Sequence, residues 1–122
     1  MISKEDIKHL EKIFPFWLDM KQNDRAKIIL SSRILSLKKN SIFFNSHELD
    51  GLLFLKSGKL RFFLSSLDAR ELPLYYLNNM EVEFFENFND KTISTILDIA
   101  FIVEKNSEIL LIPYSVLNLF RD

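Results

Sequence analysis

Apolar residues in this chain follow two different periods. Up to residue 31 they recur every three or four positions, and Ile7, Leu10, Ile13 and Phe14 share one face of an expected helix. Ser3, with Asp6 three places on, makes a capping-box-like start. Pro15 ends the run, because proline has no N–H to give and clashes with the preceding turn. A second short helix is expected from Asn23 as N-cap, carrying Ala26, Ile29 and Leu30 inward. From Arg33 the period shortens. RILSLKK, SIFF, GLLFLK, KLRFFLS, ELPLYYL, TISTILDIAFIVEK and EILLIP are short runs rich in β-branched and aromatic residues. Turn signals separate them at Lys39–Asn40, Asn45–Ser46, Ser57–Gly58, Leu67–Asp68–Ala69, Asn78–Asn79 and Asn106–Ser107. Strands spaced like this predict a sandwich or rolled barrel of about seven or eight strands, not βαβ units. PYSVLNLFRD then restarts helix at Pro113, a residue suited to a first helical turn.

Only 2 glycines serve all those turns. Asparagine, the next most tolerant residue of left-handed backbone, is expected to take their place. The 122 residues make one domain, and 48% hydrophobic with 27% charged content is globular, not disordered. With 12 phenylalanines the core should be crowded with rings. A net charge of −1, with Lys38–Lys39 as the one adjacent basic pair, argues against a surface that grips nucleic acid directly. The absence of cysteine excludes disulfides, thiolate zinc sites and cysteine-held iron–sulfur clusters. The charged start MISKEDIKHLEKIF is not a signal core, and no run is long enough to span a membrane. A cytoplasmic protein without membrane contact is the expectation.

The order of two helices, GLLFLKSGKLRFFLSS, a turn, RELPLYYLNNMEV, a variable loop and SEILLIP running into a helix closely resembles one known arrangement. It is that of the N-terminal sensor domain of the Crp/Fnr family of bacterial transcription regulators. FPFW at 14–17 is also similar to the family's aromatic–proline corner after the first helix. The resemblance covers nearly the whole chain. A piece such as LLIP is weak alone; the ordered series KSG, RELPLYYLNN and SEILLIP carries the specificity.

The resemblance implies a mainly β fold, a double-stranded β-helix or jelly roll of the cyclic-nucleotide-binding-domain type. A helical lead-in over 1–31, a β-roll over 33–112 and the start of a C-terminal helix over 113–122 are expected. The family further implies a homodimer through that C-terminal helix and DNA binding by a helix-turn-helix beyond it. Here the sequence ends at Asp122, where the long helix has just begun, so DNA is expected only through a domain not present in these residues. Both the sensor half of a longer regulator and a stand-alone interaction or dimerisation module stay open.

In nucleotide-binding members a Gly-Glu pair follows the strand similar to LPLYYL, and an arginine about ten residues later meets the cyclic phosphate. By this alignment the Gly-Glu positions fall on Phe84 and Phe85. No arginine occurs between Arg70 and Arg121, and Lys91 is the one cation from Phe85 to Phe101. A buried phosphate needs a fixed cation and several N–H donors, and Glu81, Glu83 and Glu86 would repel it. Cyclic nucleotides are therefore not expected to bind. Phe62, Leu74, Tyr75, Leu77, Phe84 and Phe85 are the candidate lining of the former pocket. They either fill it, which the packing of Tyr75 beside Leu74 and Leu77 favours, or line an apolar site for an unknown effector.

Other readings of these residues are structural. Phe84 and Phe85 read as core filler, Glu81, Glu83 and Glu86 as a solvated loop face, and Arg61 and the Arg70–Glu71 strand end as outward positions. An enzyme on the related cupin roll needs about three histidines and a carboxylate around a metal. Only His9 and His47 are present, and no nucleophile–base pairing is apparent. No catalytic residue, metal ligand or cofactor is expected.

Overall fold

A computed structural model of the chain describes residues 2–44, 49–66, 71–85 and 97–117. The first helix, α1, spans Lys4–Ile13 and opens with the full capping box. Ser3 Oγ accepts from the Asp6 N–H at 3.2 Å, while the Ser3 N–H donates to Asp6 Oδ2 at 3.0 Å. A single 3-10 turn, Trp17–Asp19, follows the aromatic–proline corner, and α2 covers Gln22–Ser31. Here the expected phase is corrected in part. The N-cap is Lys21, not Asn23, and Ile28 is the buried residue; Ile29 is half-buried against the helix-side core as expected, but Ala26 is exposed and Leu30 is 72% exposed.

Six strands follow among the described residues: β1 (Arg33–Leu37), β2 (Ile42–Phe44), β3 (Gly51–Ser66), β4 (Glu71–Leu77), β5 (Val82–Phe85) and β6 (Leu97–Pro113). The runs GLLFLK and KLRFFLS are one strand, and so are the end of TISTILDIAFIVEK and EILLIP. β3 and β6 pair antiparallel along nearly their whole length, with register shifts between Leu55 and Leu60. The expected turns at Ser57–Gly58 and Asn106–Ser107 are therefore bends inside two long strands.

Beyond those bends each long strand changes partners. The first part of β3 and the last part of β6 carry β5 and β1 at their sides. The last part of β3 and the first part of β6 carry β4 and β2. The result is a mainly antiparallel β-roll of two facing layers. Between them lies an inner core that includes Leu53, Leu55, Leu60, Phe62, Phe85, Phe101, Val103 and Ile109. A second core lies outside the first layer, where Leu52, Phe54, Leu110 and Ile112 meet Leu10, Trp17 and Ile28. Alternation along β3 feeds both cores: odd residues from Leu53 to Leu55 face in, even ones face the helices.

The helix expected from Pro113 opens one residue later, because Pro113 still ends β6: α3 (Tyr114–Leu117) turns Val116 and Leu117 into the helix-side core, and residues 118–122 lie outside the described residues. The Tyr114 N–H donates to the Asp50 carbonyl at 3.0 Å. Asn40 takes the left-handed backbone (φ 74°), as foreseen for asparagine, but in the Asn78–Asn79 turn it is Met80 that does so (φ 69°). Asn79 instead lends its side chain, whose Oδ1 accepts from the Gly58 N–H at 2.8 Å. The turns foreseen at Asn45–Ser46 and Leu67–Asp68–Ala69, with His47, Arg70, Glu86 and Lys91, lie outside the described residues.

Candidate functional site

The interior of the roll is where the expected pocket residues converge. β5 pairs antiparallel with the start of β3, placing Phe85 opposite Gly51 and Glu83 opposite Leu53. Leu53 faces the inner core, so Glu83 and Phe85 share that face. Val82 and Phe84, opposite Phe54 and Leu52, take the other face. The two adjacent rings are thus parted by the strand's two-residue period. Phe85 is 1% exposed and Phe84 50%.

Four rings pack through the space between the layers. Phe62 stacks on Tyr75 with centroids 5.0 Å apart and planes at 15°. It meets Phe85 edge-on at 6.1 Å and Phe101 at 5.2 Å, while Phe85 and Phe101 lie 5.3 Å apart at 68°. These are the offset and edge-to-face geometries that aromatic quadrupoles favour. Phe43 extends the group, stacked on Phe101 at 5.2 Å. Leu77 is buried in the same core. Leu74 occupies the bulge between the Phe62–Tyr75 and Phe63–Pro73 pairs, and is more than two-fifths exposed. Of the six candidate residues, Phe62, Leu77 and Phe85 are buried together; Tyr75, stacked on Phe62 but 41% exposed, and Leu74 are at the margin, and Phe84 is outside.

Glu83 was expected on a solvated loop face, and this is corrected. Its position faces inward, and its carboxylate accepts the Tyr75 hydroxyl hydrogen bond and the Phe84 N–H at 2.9 Å. Burial, then that hydrogen bond and the charge of Glu83, push the Tyr75 phenol well above its ordinary pKa, so it stays a protonated donor. Glu81 keeps to its turn, where Oε1 accepts the Asn78 N–H at 2.6 Å. Arg61 points away from the interior rings as expected, with its guanidinium 5.6 Å from the centre of the Phe63 ring. Its guanidinium lies 2.9 Å from Glu104 Oε1 and 3.9 Å from Glu71 Oε2.

Sequence reasoning missed Arg33. It opens β1 opposite Leu111, whose side chain faces the inner core, and with Leu35, Leu37, Phe43 and Leu49 lines a cleft of about 440 Å³. The strand period of RILSL could have flagged it, since Leu35 and Leu37 share its face.

No protein-family model matches the sequence, and no curated protein matches it. Solved structures do. A protein described as a Crp/Fnr-family transcriptional regulator, from Eubacterium rectale, matches with TM-score 0.68 and 26% identity over 87% of this chain and 49% of its own. The sensor domain of the regulator DNR from Pseudomonas aeruginosa matches with TM-score 0.65 and 13% identity over 98% of this chain and 79% of that domain's. Oxidized CprK in complex with o-chlorophenolacetic acid matches with TM-score 0.58 and 15% identity over 80% of this chain and 39% of its own. The chain spans about half the length of the first of these. In fold, then, this chain is similar to the β-roll sensor domains of the Crp/Fnr transcription regulators.

Proposed function

We propose that this chain is the sensor half of a Crp/Fnr-like transcription regulator whose nucleotide site has been replaced by its own ring packing. Residues 1–122 form one sensing unit, and any DNA reader lies outside them. The observation that carries this reading is the inward position of Phe85, packed against Phe62 and Phe101. By the family resemblance that position belongs to the glutamate that holds the ribose. Glu83 supports the same reading, since a half-exposed carboxylate on the Phe85 face of β5 repels a phosphate. CprK has been crystallised in complex with o-chlorophenolacetic acid; in this chain protein rings occupy the interior of the roll.

Output passes through the helix after Pro113. Its first turn packs on Leu52 and Phe54, whose neighbours Leu53 and Leu55 touch the inner core. An effector, or the filled interior alone, then biases that helix between two packings by population shift, and a homodimer forms along it. The half-exposed Ile42, Phe44 and Tyr76 favour a second reading, a stand-alone interaction or dimerisation module. A basic helix-turn-helix in the downstream coding sequence decides for the regulator.

Calorimetric titration with cyclic AMP and cyclic GMP tests the nucleotide part. No heat of binding is expected at physiological concentrations. A micromolar dissociation constant for either nucleotide overturns it.

A further inference from the structure

At one end of the roll, four separate turns and bends are tied side by side. The Lys39 N–H donates to Asn106 Oδ1, the Lys59 N–H to Ser107 Oγ, and the Gly58 N–H to Asn79 Oδ1. This ridge gathers lysines from three segments: Lys38 and Lys39 after β1, Lys59 in β3 and Lys105 in β6. Lys38 and Lys39, with Ser57, Asn106, Ser107 and the Lys56-paired Glu108, line a cleft of about 610 Å³. Lys59 and Lys105 stand directly opposite each other on paired strands.

Like charges on facing strand positions repel, and here the pair sits between two register shifts. No carboxylate among the described residues pairs with any of the four. Lys59 rests over the Tyr76 ring at 4.3 Å. The acids nearby are engaged elsewhere: Glu108 with Lys56 at 2.9 Å, Glu104 with Arg61, and Glu81 with the Asn78 N–H. The outcome is a lysine-rich ridge on a chain of net charge −1.

We propose that this ridge docks an acidic segment of a partner protein. A small phosphate is a poorer fit, because the ridge N–H groups of Lys39, Gly58 and Lys59 already donate within the protein and cannot cradle it. A DNA duplex is a poorer fit too. Four lysines neutralise few phosphates, the net negative charge of the chain opposes the approach, and the ridge carries no arginine fork. Several carboxylates on a flexible polypeptide match several lysine ammonium groups without demanding fixed geometry. This surface is separate from the ring-filled interior and does not depend on it.

Fluorescence anisotropy of a labelled decaglutamate peptide tests the assignment, run at low and near-physiological salt beside a mixed-sequence duplex. The variant pair is Lys39→Glu with Lys105→Glu; the control, Lys8→Glu with Lys27→Glu, makes the same net-charge change on the helices. Circular dichroism checks that both fold, and the milder Lys105→Gln serves if the ridge variant does not. Salt-sensitive peptide binding is expected, weakened about tenfold or more by the ridge pair, about threefold by Lys105→Gln, and little by the control. Absent peptide binding at low salt, equal loss in ridge and control variants, or tighter binding of the duplex overturns the proposal.

Discussion

Phe84 and Phe85 show how much a single step along a strand decides. Both rings were legible as replacements for a ligand-binding pair, and neither composition nor motif separated them. The separation comes from the two-residue period of β5, which sends one to the inner core and the other to the margin of the helix-side face. Glu83 was hidden by the same oversight: it shares the face of Phe85 and finds the Tyr75 hydroxyl. Gly58 is a residue whose role the sequence signalled and the structure deepened. Its φ of 113° belongs to glycine, and an added Cβ would fall 2.0 Å from Ser107 Oγ. Gly58→Ala is therefore expected to lose about 2 kcal/mol or more of stability in urea denaturation. An unchanged midpoint would mean that the bend tolerates a side chain.

The elements were most legible where local chemistry and the global fold agree. The capping box of α1, the limits of β4 and the helix after Pro113 all follow from their own residues. α2 was misread because nothing caps it: Lys21 offers no side-chain acceptor, so the phase set by Asn23 was wrong and Ile28 took the buried place. The joining of four expected strands into β3 and β6 was illegible, since glycine and asparagine mark a bend and a chain turn alike.

How α1 is held to the roll also lay beyond sequence reasoning. Lys56 Nζ lies 2.7 Å from Asp6 Oδ1 and 2.9 Å from Glu108 Oε1, joining the helix cap to the bends of both long strands. Burial works against charging Asp6, but hydrogen bonds from Lys56 and Ser3, with the charge of Lys56, outweigh it and hold its pKa below the ordinary value. A carboxylate depressed in this way contributes stability above its unfolded pKa, and loses it as pH falls through the lower folded value. Lys56→Gln should cost about 1–3 kcal/mol near neutral pH, because it leaves Asp6 buried without its counter-charge. The gap from the unsubstituted protein should narrow as the medium is acidified past the ordinary carboxylate range. Urea midpoints at several pH values check this; a gap that stays constant with pH removes Asp6 from the account.

For the molecule as a whole, the sequence carried the roll and its likeness to Crp/Fnr sensors, while the layering of two cores became visible only with the bends. Residues 1–122 have a slightly acidic charge and no recognition helix in their described part. A gel shift with this chain alone should show no sequence-dependent retardation, and a salt-sensitive, sequence-dependent shift would contradict that. The stack of Phe62, Tyr75, Phe85 and Phe101 joins the two layers, so the roll closes on its own side chains. If so, removing one ring leaves a void that neighbouring layers cannot fill. Urea denaturation of Phe85→Ala beside Phe84→Ala measures this. The account predicts a loss of about 3–5 kcal/mol for Phe85→Ala and under about 1 kcal/mol for half-exposed Phe84→Ala. A loss below about 1 kcal/mol for Phe85→Ala contradicts it, since truncation at an open pocket leaves no new void.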